Sequence, residues 1–192
     1  MLQMLHAELC RLCPIPESIW EQSKAFFYIR QLKAQEMFQE PNTSPFEVGL
    51  VANGLMRAYF TKSEKEMVKM FATRGQFIGA YAALLSNNQS KLSIIAEKDS
   101  VLFCIRFADL EKLYSLHPCW QEIGRKAAEQ LLLTREKREY ELLMLSALER
   151  YEEFLREFPS LSEDIPQWQI ASYLGITPVA LSRIRKQRVT KK

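Results

Sequence analysis

The stretch Gln167-Trp168-Gln169-Ile170-Ala171-Ser172-Tyr173-Leu174-Gly175-Ile176-Thr177-Pro178-Val179-Ala180-Leu181-Ser182-Arg183-Ile184-Arg185-Lys186 decides how this chain is read. Its spacing predicts a helix, a tight turn and a second helix. Ile170 and Leu174 lie four apart on one face of the first helix, and Ala171 is small enough for a close helix approach. Gly175 falls just past that helix, where a left-handed backbone costs least in a residue without Cβ. Thr177 is suited to cap the next helix. Pro178 fits its first turn, because the N–H it lacks is unpaired there anyway. Leu181 and Ile184 then point back at the first helix.

The opposite face of the second helix is polar and cationic: Thr177, Ser182, Arg183, Arg185 and Lys186. Such a helix fits a DNA major groove, its first turn meeting base edges and its last cations meeting phosphates. The bland alternative is a helical hairpin with a solvated charged face. It leaves the joint occurrence of small residue, glycine, cap, proline and terminal charge unexplained. Charge by segment points the same way. From residue 164 onward, Arg183, Arg185, Lys186, Arg188, Lys191 and Lys192 face Asp164 alone, a net of +5, whereas residues 1–163 sum to −2. One small region is therefore built to meet a polyanion.

Upstream, Trp120 to Leu145 runs without proline, with Trp120, Ile123, Ala127, Leu131, Thr134, Arg138, Leu142 and Leu145 spaced by three or four. A helix over 120–145, about 39 Å long at the usual rise, is too long for one compact domain to cover easily; the bland reading is a helix lying across its own domain, and the sharper one is a dimerisation helix, which the family resemblance below places over 119–145. Ala147 to Phe158 reads as another amphipathic helix, ended by Pro159. Residues 26–107 change character. Phe46–Ala52, Leu55–Phe60, Glu66–Phe71 and Ser100–Ile105 are strand-like runs, and Asn53-Gly54 between the first two predicts a tight hairpin. Short strands at turn-sized spacing suggest a sandwich or barrel. Two short helices, 3–12 and 16–25, precede them.

The composition of the 192 residues fits this reading, with 47% apolar and 26% charged residues. It allows a sizeable core and argues against global disorder. No window reaches ~18 uninterrupted apolar residues, so no membrane span is expected. The N-terminus lacks the charged-then-apolar pattern of a secretory signal, which favours the cytoplasm. The sequence shows no phosphate loop, zinc-hydrolase motif or nucleophile elbow, and Glu152-Glu153 sit on an amphipathic helix; no enzyme is expected. Cys10-Arg11-Leu12-Cys13 is a C-x-x-C. With Cys104 and Cys119 far off in sequence and no further N-terminal cysteine, structural thiols are the first reading, a reactive dithiol the second, and a metal site is not expected. His117, just before Pro118, opens a helix rather than ligating.

Taken with these motifs, the chain resembles the Crp/Fnr superfamily of transcription regulators over nearly its full length. Ile170 to Pro178 and Leu181 to Lys186 look like its helix-turn-helix. The strands around Asn53-Gly54 and the later Gly75-Gln76-Phe77-Ile78-Gly79 look like its cyclic-nucleotide-binding-type β-roll. The resemblance implies an α+β chain: a sensor jelly roll with N-terminal helices over 1–117, a dimerisation helix over 118–145, and a helix-turn-helix domain over 146–192. It implies a homodimer on a two-fold-related site in double-stranded DNA, with RNA polymerase as a further partner. The guanine-reading arginine of the family falls at Arg183, while a neighbouring glutamate that reads cytosine falls at Val179, so a different base sequence is expected. Pro178 and Ser182 join Thr177 and Val179 at the groove; Gln167, Gln169, Arg185, Lys186 and Arg188 are assigned to phosphates, with Lys191 and Lys192 adding non-specific attraction.

In nucleotide-binding members a Gly-Glu pair opens a phosphate cassette, and an arginine further on holds the phosphate. Here Gly79 is followed by Ala80, and Ser90 stands about where the arginine belongs, with Lys91 beside it. Alanine cannot accept from a ribose hydroxyl, and a buried phosphate needs charge-assisted partners. No cofactor is expected, and cyclic AMP least of all. Gly79, Ala80, Tyr81, Ser90 and Lys91 would line a vestigial pocket or hold some other molecule. The alternative function is a small-molecule-binding module that acts through a protein partner.

Overall fold

The computed structural model describes residues 1–159 and 161–190, the last two by backbone alone. The chain divides into two compact units: Met1–Phe60 with Met70–Gln130, and Thr61–Lys69 with the chain from Leu131. In chain order, α1 (Leu2–Cys10) and α2 (Glu17–Ser23) precede a roll of eight short strands, of which the β4 end and most of β5 belong to the second unit. These are β1 (Phe27–Leu32), β2 (Met37–Gln39), β3 (Glu47–Asn53), β4 (Met56–Lys62), β5 (Lys65–Ala72), β6 (Phe77–Ile78), β7 (Ser93–Ala96) and β8 (Ser100–Arg106). A short helix, α3 (Tyr81–Ser86), interrupts them between β6 and β7, and α4 (Phe107–Leu116) follows β8. One sheet has the order β1-β8-β3-β6 and the other β2-β7-β4-β5.

Strand β8 is apolar at nearly every position because both of its faces are buried. Leu102 and Cys104 point between the sheets, where they join Val51, Met56, Ala58 and Ile94 in a core closed to solvent. Phe103 and Ile105 point outward, where they meet Leu5, Leu9, Trp20, Leu113, Trp120 and Ile123. The helices thus cover one outer face of the roll with a second apolar layer. Two buried carboxylates are matched by cations: Glu97 by Arg57, and Glu47 by Arg30 together with a Tyr28 hydroxyl that donates to it.

Asn53-Gly54 is not a hairpin. β3 pairs with β8 and β6, whereas β4 pairs with β7 and lies beside β5, so the dipeptide carries the chain from one sheet to the other. Gly54 is required there: φ is +103°, and a Cβ would lie 2.2 Å from the Ser100 hydroxyl and 2.6 Å from its Cα. The two-residue hairpin turn comes one strand later, between β4 and β5. There Ser63 (φ 49°) and Glu64 (φ 62°) both adopt the left-handed backbone of a type I′ turn.

The long helix α5 (Pro118–Met144) begins in the first unit and ends in the second. His117 caps it, its Nδ1 accepting from the Cys119 N–H at 3.2 Å. The second unit continues with α6 (Ala147–Glu157), α7 (Leu161–Asp164), α8 (Gln167–Leu174) and α9 (Pro178–Thr190). Ser146 and Glu149 form a reciprocal capping box that starts α6. Phe154, Phe158 and Tyr173 cluster with ring centroids 5.4 to 6.2 Å apart. Residues 66–68 of β5 join this unit through Ser172, whose hydroxyl accepts from the Val68 N–H at 2.9 Å and donates to the Glu66 carbonyl at 2.7 Å. No helix among the described residues is long and apolar enough to cross a membrane.

Candidate nucleic-acid interface

Helices α8 and α9 are joined as their local sequence dictates. Gly175 adopts φ 67°, ψ 33°. The Ile176 N–H reaches the Ala171 carbonyl at 3.0 Å and the Gly175 N–H that of Ser172 at 3.1 Å, the paired bonds of a Schellman end. Two residues on, the Thr177 hydroxyl accepts from the Ala180 N–H at 3.2 Å and caps α9, with Pro178 in its first turn. Ile170, Ala171, Leu174, Leu181 and Ile184 are buried along the two helices. Arg150 supports the turn: its guanidinium donates to the Leu174 carbonyl at 2.9 Å and to the Leu145 carbonyl at 2.6 Å. Carbonyls left over at two helix ends are thereby satisfied by one cation.

This frame leaves one face of α9 in solvent. Val179, Ser182, Arg183 and Lys186, at positions i, i+3, i+4 and i+7, are exposed, as are Thr177, Pro178 and Arg188; Arg185 is half-buried. Gln167 is exposed at the start of α8. Gln169 departs from its expected place. It is only 3% exposed, because positions 169 and 173 form a second buried face of α8. A side chain held there does not meet a phosphate, and Gln169 leaves the candidate set. Lys191 and Lys192 lie outside the described residues.

The stripe read along α5 also needs correction. Trp120 and Ile123 are buried in the first unit's own core. Arg138 stacks on the Tyr173 ring at 4.0 Å and pairs with the buried Glu141, both within the second unit. Of the stripe, Leu142 is 46% exposed, and α5 also presents Leu132, Leu133, Tyr140, Leu143 and Met144, between 57% and 73% exposed. The sequence period revealed an apolar face but not which face its own chain covers.

The residues expected around a cassette are engaged separately. Gly79 passes Val48 so closely that a Cβ would sit 3.2 Å from Val48 Cγ1. Ala80 is buried and precedes α3; Tyr81 turns edge-on to Phe107 of α4, with centroids 6.1 Å apart. Burial, with the Tyr81 hydroxyl nearby, pushes the Tyr114 phenol of α4 up to about 12. Ser90 is buried, pairs its backbone with Thr43, and accepts from the Leu92 N–H at 3.0 Å; Lys91 is exposed.

Residues 29–117 match the cyclic nucleotide-binding domain family. No curated protein sequence matches the chain. Among solved structures, FixK2 from Bradyrhizobium japonicum is similar over 86% of this chain and 85% of its own, at 21% identity and a TM-score of 0.73. CLP, a c-di-GMP-responsive global regulator of Xanthomonas campestris, is similar over 92% and 93%, at 17% identity and a TM-score of 0.71. A protein from Eubacterium rectale, assigned to the Crp/Fnr family of transcriptional regulators, is similar over 92% and 85%, at 17% identity and a TM-score of 0.72. Residues 29–117 thus match the cyclic nucleotide-binding domain family, and the chain shares the overall fold of these three structures.

Proposed function

We propose that the chain is a homodimeric, sequence-specific DNA-binding transcription regulator. The observation that carries this reading is α9. Its exposed face bears Ser182, Arg183 and Lys186, and its buried face is locked to α8 by a glycine turn and a threonine cap. Arg183 reads a base edge; Thr177, Pro178, Val179 and Ser182 shape the groove contact; Gln167, Arg185, Lys186 and Arg188 hold phosphates. Arg183→Ala should weaken binding to selected sites by ~1–3 kcal/mol and leave bulk DNA binding nearly unchanged, as read by mobility shift at several salt concentrations. An equal loss on every sequence would refute base reading.

A second copy covers the exposed face of α5. Leu132, Leu133, Leu143 and Met144 form an apolar surface that matches a two-fold interface, and two copies of α9 one helical repeat apart would meet adjacent major grooves. Leu143→Glu is expected to convert a dimer into a monomer by light scattering and to abolish tight operator binding. A wild-type monomer at the same concentration would remove the interface.

The roll does not respond to cyclic AMP in this reading. Ala80 offers no acceptor for a ribose hydroxyl, Ser90 is spent on its own turn, and Met56, Ala58, Ile94, Leu102 and Cys104 fill the interior. Burying a phosphate there would require charge partners that these residues do not supply.

A further inference from the structure

The C-x-x-C near the N-terminus has no part in the function above, and its placement gives it chemistry of its own. Helix α1 ends at Cys10, but the chain keeps turning. Arg11 has helical φ and ψ (−66°, −28°); the Leu12 N–H reaches the Leu9 carbonyl at 2.9 Å, and the Cys13 N–H reaches the same carbonyl at 3.2 Å. Cys10 and Cys13 therefore stand one helical turn apart on one face, both half-buried and so within reach of a small solute. Side chains at this spacing have Cβ atoms about 5–6 Å apart, and a disulfide needs roughly 3.5–4.5 Å. The gap of one to two ångströms can close because the turn belongs to no continuing helix: Pro14 follows at once. Closing it tightens the turn, and a strained, accessible disulfide is the reducible kind.

The third nearby thiol does not compete. Cys119, in the first turn of α5, is buried in the cluster against which Cys10 and Cys13 pack. Burial, with the Cys13 and Cys10 sulfurs beside it, raises its pKa above the usual thiol range and leaves less of the attacking thiolate. Among the described residues no group of three His, Cys, Asp or Glu is placed to hold a metal.

We propose that Cys10 and Cys13 are a reversible thiol–disulfide pair, oxidised by a low-molecular-weight disulfide of the glutathione type. The thiolate of one cysteine attacks a sulfur of glutathione disulfide; a protein–glutathione bond forms, the glutathione S–S bond breaks, and one glutathione thiolate leaves. The second cysteine, as thiolate, attacks the protein sulfur of that mixed disulfide, forms the Cys10–Cys13 bond and expels the second glutathione. Two protein thiols lose two protons and two electrons, and glutathione disulfide becomes two glutathione thiols. The oxidised turn has a built-in listener: the Leu12 carbonyl, between the two cysteines, accepts from Lys126 Nζ of α5 at 2.7 Å.

The test uses the full chain, titrated with glutathione disulfide, acid-quenched, alkylated and peptide-mapped. The free-thiol count is expected to fall from the four cysteines of the sequence to two, with Cys10 and Cys13 lost together as one intramolecular bond. Cys119→Ser should behave identically, and Cys13→Ser should stop at a glutathione adduct on Cys10. A cross-link through Cys119, separate glutathione adducts persisting on Cys10 and Cys13, or two thiols that stay free would each overturn the pair. No DNA enters the assay, so its failure and that of the regulator reading are distinguishable.

Discussion

A chain carrying Gly54→Val should fail to hold its roll, losing more than ~4 kcal/mol in denaturant unfolding. The position combines two demands that are each hard for a side chain. The backbone is left-handed, and the nearest neighbour is not a movable tip but Ser100, whose Cα would be 2.6 Å from the new Cβ. Ser100 cannot retreat cheaply: its hydroxyl accepts from the Leu55 N–H at 3.1 Å and donates to the Lys98 carbonyl at 2.6 Å. Gly75→Ala is the control. It shares the left-handed backbone (φ +83°), but its nearest contact would be 3.9 Å away, so it should cost only about 1–2 kcal/mol. Equal effects of the two changes would show that crowding at the inter-sheet corner does not matter.

Leu181→Ala should destabilise the helix pair by ~2–5 kcal/mol, the range for emptying a closed apolar site. Leu181 is fully buried in α9, one turn after the Thr177 cap and one turn before Ile184. Its loss frees α9 to tilt on α8, so operator binding should fall further than for Arg183→Ala. Amide exchange followed residue by residue would show protection lost in α8 and α9 and kept in β3 and β8. Val179→Ala, on the exposed side of the same helix, should change stability by no more than about 0.5 kcal/mol. If Leu181→Ala were equally mild, the helix pair would not be held by the packing described.

How far the sequence reveals this structure depends on whether a signal is local. Gly175, Thr177 and Pro178 announce a helix end, a cap and a first turn within four residues, and each adopts the expected role. Strand pairing is not local. Asn53-Gly54 signals a sharp change of direction, but nothing in the dipeptide says which sheet the next strand joins. The true hairpin, at Ser63-Glu64, uses residues that rarely advertise a left-handed backbone, so it is silent in the sequence. β2 and β6, of three and two residues, are too short to show a period. Gln169 was legible as polar and close in sequence to α9, yet α8 packs on two sides and the amide lies on the second. The apolar stripe of α5 is divided: Trp120 and Ile123 repeat as an interface would but meet Leu5, Leu9 and Phe103 of the same chain, whereas Leu142 is exposed, and the period alone does not separate the two.

The Ser172 hydroxyl has a bearing on limited proteolysis. It pairs with strand backbone more than a hundred positions away, so the segment Thr61–Lys69 and the C-terminal helices are a single compact body made of two stretches of chain. A protease that severs α5 would release a C-terminal piece without that segment, its serine hydroxyl turned to water. The smallest self-sufficient fragment that carries α8 and α9 is therefore discontinuous, and a single cut cannot excise it.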